Sequence, residues 1–133
     1  MPIFHKPEDI LLDMRQRYGA TQAISMPREN PTEYVAEVGR RVDLNHSTAI
    51  AYIKQSQPHM HEKTTEVYEV LAGAIYVYVD GKRHLLYAYD KLVITPGQVH
   101  YARVIDERFD EWTVVKVLAS PPWSAEDHHL IQP

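Results

Sequence analysis

Two histidines and a glutamate in the segment HMHEKTTE could together hold a metal ion. His59 and His61 are separated by one residue, and Glu66 follows five positions after His61. Alternate side chains of an extended strand point to the same face, so both imidazoles could reach one ion from a single strand. If Glu66 faces these histidines from the next strand, then Glu62 and Glu69 face away from them.

A fourth candidate ligand, His100, follows a turn later in the chain. Pro96-Gly97 predicts a tight turn, and His100 begins the next predicted strand, where it could face the same cavity. Three imidazoles and one carboxylate suit a borderline divalent ion such as Fe, Mn, Co, Ni, Cu or Zn, whereas oxygen ligands dominate magnesium and calcium sites. Four protein ligands would leave two positions of an octahedral ion open for a substrate or for dioxygen.

Other interpretations of these residues are weaker. Solvation or ordinary hydrogen bonding would explain any one of the four alone, but the four together favour a metal site. A zinc-protease helix is excluded, because its motif needs histidine where the chain has Thr65. Gln57 shares the parity of the two histidines and Tyr68 that of Glu66, so both are candidate substrate-binding residues, although packing at the rim of a barrel explains them equally well. His128 fits no motif and is expected in a solvated tail.

The elements that must position these residues are one helix and a series of short strands. Pro7 followed by two acids is typical of a helix start, and the apolar spacing up to Gly19 predicts a helix over residues 7–18. Asp80-Gly81 predicts a hairpin. Strands are predicted over residues 22–25, 33–38, 47–53, 66–71, 75–79, 84–88, 92–94, 100–105 and 112–118. Many short strands without helices between them predict an antiparallel sandwich or barrel.

Length, composition and charge set further limits. The 133 residues, 44% hydrophobic and 24% charged, are typical of one globular domain, and we expect a single domain over residues 1–133. The absence of cysteine excludes disulfides and thiolate metal sites. We expect a cytoplasmic protein with no membrane partner, because the first residues lack the order of a signal peptide and no apolar run could span a bilayer. A net charge of -4 without a basic cluster argues against a nucleic-acid partner.

The same residues resemble the motifs of the cupin superfamily. The first cupin motif has two histidines around one residue, then four residues, glutamate, six residues and glycine. It is matched here by His59, His61, Glu66 and Gly73. Pro96-Gly97 followed three positions later by His100 resembles the second motif. The glycine that usually opens the second motif is Tyr89 in this chain.

This resemblance implies an all-β fold, a double-stranded β-helix or jelly-roll-like barrel, here with a short N-terminal helix. It implies that His59, His61, Glu66 and His100 bind one divalent metal inside the barrel. It also implies an enzyme that acts on a small polar molecule, either a dioxygenase or an isomerase or epimerase of sugar-like substrates, with Glu66 doubling as a proton shuttle.

Two other functions remain open under the same resemblance. One is a non-catalytic protein that uses the metal to bind a small, sugar-like ligand. The other is a storage or structural cupin with a vestigial site, although the intact ligand positions argue against it. The family also implies a homodimer, and we expect the contact to lie within residues 22–42.

Overall fold

The computed structural model describes residues 3–4, 6–106 and 111–131, which contain one α-helix and eleven strands. The helix, α1, spans Pro7–Tyr18, as predicted. The strands are β1 (Ile24–Met26), β2 (Glu33–Arg41), β3 (His46–Ile53), β4 (His59–Met60), β5 (Thr65–Ala72), β6 (Ile75–Val79), β7 (Lys82–Leu86), β8 (Lys91–Ile94), β9 (His100–Arg103), β10 (Thr113–Ser120) and β11 (His129–Leu130). Across these described ranges, no helix has the length and apolarity that a membrane span requires.

The strands form two antiparallel sheets. The larger sheet has the strand order β1-β2-β3-β10-β5-β8, and the smaller has the order β11-β4-β9-β6-β7. The all-β, jelly-roll prediction is confirmed. Within the described part of the chain, however, no ladder of strands joins the sheets into a closed cylinder, so the predicted barrel is an open pair of sheets.

The main hydrophobic core lies between the two sheets. In β6 the alternation of side chains turns Ile75 and Val77 inward, where both are fully buried. They pack in one cluster with Val70 and Val115 of the larger sheet. Burying apolar surface in this way stabilises the fold by roughly 25 cal/mol per Å². The core therefore holds the inner faces of both sheets in a fixed relation to each other.

A second core forms where α1 covers the outer face of the larger sheet. Ile10 and Met14 project from the helix onto Ile50 and Tyr52 of β3. The helix ends at Gly19, whose φ of 69° is left-handed and whose N–H donates to the carbonyl of Arg15. Strand β3 is thus packed on both faces and forms a rigid wall for the space between the sheets.

Two turns contain residues in the left-handed conformation. Gly97 has a φ of 85°, and its N–H donates to the carbonyl of His61 over 2.7 Å. The turn that precedes His100 is thereby attached to another candidate ligand. Tyr89 has a φ of 74°, a conformation that favours glycine, which explains why related motifs carry glycine there.

Candidate metal centre

The four candidate ligands come together between the two sheets. His59 in β4 lies directly opposite His100 in β9, so these imidazoles enter from the smaller sheet. Glu66 enters from β5 of the larger sheet, and His61 lies just beyond β4. All four side chains are buried, and their potential ligand atoms all lie within 4.8 Å of one another. Glu69 lies on the opposite face of β5, with its carboxylate 3.9 Å from Lys116 Nζ.

Each of the three histidines is oriented by a backbone carbonyl. The hydrogen bonds run from Nδ1 of His59 to Gln57 (2.8 Å), from Nδ1 of His61 to Asp127 (2.9 Å) and from Nδ1 of His100 to Gln98 (3.0 Å). A carbonyl oxygen can only accept, so Nδ1 carries the proton in each ring. The Nε2 lone pair of each neutral ring is left for the centre, which is how histidine ligands of metals are typically held.

The carboxylate of Glu66 faces the Nε2 atoms of two of these histidines. Its Oε1 lies 3.1 Å from Nε2 of His100 and 3.2 Å from Nε2 of His61. Two acceptors at this distance repel unless a proton or a metal ion lies between them. Nε2 of His61 is also a buried nitrogen without a hydrogen-bond partner. Three convergent imidazole lone pairs and one carboxylate fit a divalent transition-metal ion.

The ionisation of the ligands follows from their burial and from their mutual contacts. Burial lowers the pKa of His59 to about 3, and the charge of His100 adds to this effect. Burial also works against ionised Glu66, but where His100 and His61 carry a proton on Nε2 as well, their hydrogen bonds to the carboxylate outweigh burial and hold the pKa of Glu66 below its ordinary value. Burial likewise works to lower the pKa of His61, but the hydrogen bond and the charge of Glu66 raise it. Neutral imidazole and ionised carboxylate are the forms that bind metals.

Asp127 attaches the C-terminal segment to the ligand-bearing turn. Its carboxylate accepts hydrogen bonds from the backbone N–H groups of Glu62 (2.9 Å), Lys63 (3.1 Å) and Thr64 (3.2 Å). Its backbone carbonyl accepts the hydrogen bond from His61. Burial alone would raise the pKa of Asp127, but these N–H donors hold it below its ordinary value. One residue therefore fixes both the β4–β5 turn and the orientation of a candidate ligand.

A cavity of about 430 Å³ opens beside the candidate ligands, a volume that suits a small molecule. Much of its wall is the inner face of the larger sheet, where small side chains leave space. These small residues are Ser47, Ala49, Ala51 and Ala119. His59, His61 and Glu66 also line the cavity, so a molecule inside it could reach the ligand cluster.

Glu33 places a second carboxyl group in this cavity. It lies at the start of β2, between Met26 of β1 and Ile53 of β3, and only 8% of its surface is exposed. Among the described residues, none forms a hydrogen bond or an ion pair with its side chain. Burial raises the pKa of Glu33 to about 8, and the negative charge of Glu66 adds to the shift. The sequence analysis did not identify this residue. The one available indication was its position two residues before Val35 on a predicted strand, which places both side chains on the same face.

The two predicted substrate-binding residues lie in different environments. Tyr68 lines the cavity, and its ring meets the ring of His100 edge to face with centroids 6.0 Å apart. Gln57 is exposed and is not part of the cavity wall, and it contributes its backbone carbonyl to His59 instead. The parity argument assumed that the strand extends back to residue 57, but β4 begins at His59.

The C-terminal segment supplies two further cavity residues that sequence reasoning did not assign to the site. The ring of His128 stacks on that of His59, with centroids 4.5 Å apart and an interplanar angle of 20°. Trp123 meets His128 edge to face at 6.0 Å. His128 was expected in a solvated tail, but the pairing of β11 with β4 brings this segment back over the cavity.

A second group that could hold a cation lies nearer the surface and consists of Glu62, Asp127 and His129. Glu62 is exposed, and the Asp127 carboxylate already accepts three backbone N–H groups. This group therefore has less free coordinating capacity than the buried set.

The sequence matches a known family over the region of the candidate ligands. A family model described as a cupin domain matches residues 50–115, a range that includes all four ligands. No curated protein matches the chain.

Several solved structures share the fold at low sequence identity. KdgF from Halomonas sp. is 20% identical with a TM-score of 0.61, and the match covers 75% of this chain and 87% of that one. A cupin-2 domain protein from Rhodospirillum rubrum is 12% identical with a TM-score of 0.70, over 99% and 81% of the two chains. Pac13, described as a unique nucleoside dehydratase, is 14% identical with a TM-score of 0.65, over 87% and 90%. A Streptomyces Pac13 variant was solved with uridine.

Replacing Asp127 with alanine should lower the free energy of unfolding of the metal-free protein by about 2 kcal/mol, because three backbone N–H groups lose their acceptor. Chemical denaturation measures this loss. The exposed neighbour offers the control Glu126→Ala, for which a change within about 0.5 kcal/mol is expected. A loss in Asp127→Ala no larger than that of the control would show that the carboxylate does not hold the turn.

Glu33 should make the stability of the metal-free protein depend on pH. The unfolded chain releases the Glu33 proton near pH 4.5, whereas the folded protein releases it near pH 8, so folding takes up a proton between these values and stability falls as pH rises. Relative to wild type, Glu33→Gln should gain about 3 kcal/mol in free energy of unfolding between pH 5 and pH 7.5. Denaturation in the presence of a chelator measures the gain, with the exposed Glu29→Gln as control. Parallel curves for wild type and Glu33→Gln would contradict the burial of an unpaired carboxyl.

Proposed function

The chain belongs to the cupin superfamily, and we propose that it is a metalloenzyme in which His59, His61, Glu66 and His100 hold one divalent transition-metal ion beside a small-molecule cavity. The observation that carries this proposal is the convergence of three Nε2 lone pairs on one buried carboxylate, with each Nδ1 fixed by a carbonyl. Such a ligand set is electrostatically balanced only with a cation in place.

The cavity gives the ion access to a substrate. A bound divalent ion would supply Lewis-acid chemistry by polarising a carbonyl or hydroxyl oxygen of the substrate. Aromatic side chains form part of the cavity wall. The ring of Tyr68 packs beside His100, and Trp123 and His128 line the side of the cavity that the C-terminal segment forms. A small polar molecule fits a cavity of about 430 Å³.

Catalysis is favoured over simple binding because the cavity contains an acid–base group besides the ligands. A binding protein needs only to fix its ligand, whereas an enzyme also needs a group that moves protons near the bound molecule. Glu33 is such a group, because it is buried beside the cavity with a pKa raised by burial. Non-catalytic binding of a sugar-like ligand is the alternative.

The proposed reaction is a proton transfer on a sugar-like substrate, of the isomerase or epimerase type. Pac13, which shares the fold, is described as a nucleoside dehydratase and was solved with uridine, so this scaffold accommodates polyhydroxylated ligands elsewhere. Glu66 is proposed to serve both as a ligand and as a proton shuttle. A dioxygenase is the second candidate, because three imidazoles and one carboxylate also suit redox-active iron or manganese.

The proposal also covers the domain organisation, location, partners and oligomeric state of the protein. Residues 1–133 form a single cupin domain that acts in the cytoplasm without a nucleic-acid or membrane partner. The domain forms a homodimer through residues 22–42. The exposed apolar side chains of Ile24, Val38 and Val42 in this segment support the dimer contact.

Removal of one ligand should weaken metal binding strongly, whereas removal of a nearby outward carboxylate should not. His61→Ala and His100→Ala should lower the metal content or affinity at least tenfold, because each leaves the buried carboxylate with fewer partners. Glu69→Gln, on the opposite face of the same strand as Glu66, is the matched control and should keep wild-type metal content. Elemental analysis and competition with a chromogenic chelator measure both. Equal losses in all three variants would contradict the ligand assignment.

Oxygen uptake distinguishes the two proposed reaction types. Protein loaded separately with Fe(II), Mn(II), Co(II) and Ni(II) should consume no oxygen with catechols, diketones or keto-sugars, because a proton transfer needs no oxidant. An oxygen electrode measures the rates, with metal-depleted protein as control. Stoichiometric oxygen consumption with any of these compounds would select the dioxygenase.

A further inference from the structure

The side chain of Glu33 has no structural partner that would explain its burial. More than nine-tenths of its surface is covered, and within the described ranges it makes neither a hydrogen bond nor an ion pair. A buried carboxyl without a partner costs free energy of folding, and an apolar side chain of the same size would be more stable there. Groups of this kind are typical of sites where the missing partner is a ligand.

The position of Glu33 in the sheet directs it towards the ligand cluster. It pairs with Ile53, whose side chain belongs to the core between the sheets, so its own side chain enters the same space. The titratable groups that act on it are Glu66 and, through the shared cavity wall, Tyr68, both on β5. The carboxyl therefore lies on the same cavity as the candidate ligands but enters it from β2.

We propose that Glu33 is a catalytic acid–base residue that exchanges a proton with an uncharged hydroxy-carbonyl substrate, such as an aldose or ketose, bound in the cavity. This inference rests on the proposed function, and it assigns the transfer of the carbon-bound proton to Glu33, beside the shuttle role proposed for Glu66. It also specifies that the substrate carries no charge.

The proton transfer needs no co-reactant. The Glu33 carboxylate takes the hydrogen from a carbon next to the substrate carbonyl, so that a C–H bond breaks and an O–H bond forms on Glu33. The electron pair of the broken C–H bond forms a C=C bond, and the π pair of the carbonyl moves onto its oxygen, which gives an enolate. In an isomerisation the proton of the adjacent hydroxyl moves to this oxygen, and Glu33 returns its proton to the former carbonyl carbon, so that the carbonyl re-forms on the neighbouring carbon. In an epimerisation Glu33 returns the proton to the original carbon after the enolate has turned its opposite face to the carboxyl, and the original carbonyl re-forms. A group whose pKa lies near neutrality can both accept and donate under ordinary conditions.

The charges around the cavity favour an uncharged substrate. Arg40 is the arginine on the cavity wall, and its guanidinium already binds both carboxylate oxygens of Glu37 at 2.8 and 3.1 Å. It also donates to the carbonyl of Trp123 over 2.9 Å. Glu33 and Glu66 add acidic groups deeper in the cavity, so an anionic substrate would meet carboxyl groups rather than a free cation.

The test measures exchange of carbon-bound hydrogen with solvent. Metal-loaded wild type, Glu33→Gln, Glu33→Asp and the control Glu69→Gln are incubated in D₂O with glyceraldehyde, dihydroxyacetone, ribose, xylose, glucose and fructose, each beside its phosphorylated form. Proton NMR follows the loss of carbon-bound hydrogen, and metal content and thermal unfolding are measured for every variant. Wild type and Glu69→Gln should exchange at least one uncharged sugar. Glu33→Gln should lose about 100-fold or more of the rate with its metal retained, and Glu33→Asp should recover part of it.

The other results overturn the proposal. They are equal exchange in Glu33→Gln, exchange confined to phosphorylated sugars, and metal-loaded wild type that exchanges no sugar in the panel. A protein that binds no metal would instead overturn the proposed function. In that case labelling of the metal-free protein with dicyclohexylcarbodiimide decides the role of Glu33, because this reagent modifies protonated, buried carboxyl groups. Preferential labelling of Glu33 at pH 7 would support a cavity-facing acid, and absence of labelling would overturn it.

Discussion

The structure depends on the burial of four polar side chains whose coordinating atoms point at one another. Removing a carboxylate and three imidazoles from water is unfavourable unless each remaining lone pair finds a partner. The backbone supplies partners for one nitrogen of each ligand histidine, since carbonyl oxygens accept a hydrogen bond from Nδ1–H of His59, His61 and His100 and so fix Nε2 as the nitrogen that faces the centre. The remaining lone pairs require a positive charge between Glu66 and the imidazoles. The two sheets can pack around this point because their apolar core holds the strands that carry the ligands at a set separation.

The residues outside the ligand set explain why this geometry can be rigid. The N–H of Gly97 donates to the backbone carbonyl of His61. The backbone carbonyl of Asp127 accepts a hydrogen bond from the imidazole of His61, and its carboxylate accepts hydrogen bonds from the turn that follows His61. His61 is thus restrained on both sides by segments that are remote in sequence. Preorganised ligands reduce the conformational entropy that metal binding must overcome. Glu33 differs from the ligands, because its burial without a partner among the described residues weakens the fold, and this is the reason for proposing that it acts on a bound substrate.

Local sequence patterns predicted much of this architecture, and long-range contacts account for most of what they missed. The helix over residues 7–18 followed from capping and apolar spacing, and the pairing of His59 with His100 agrees with strand alternation and the Pro-Gly turn. Gln57 was assigned to the cavity by extending the strand too far towards the N-terminus. Asp127 and His128 were not foreseen, because they reach His61 and His59 only after the chain tail returns to β4, more than 60 residues away. No local period encodes such a contact.

The most direct test of the account is an anomalous diffraction map of the protein crystallised after loading with a single transition metal, collected above and below the absorption edge of that metal. The account predicts one strong peak enclosed by the Nε2 atoms of His59, His61 and His100 and the carboxylate of Glu66. A map without a peak there, or with a peak only at the surface group of Glu62, Asp127 and His129, would contradict it.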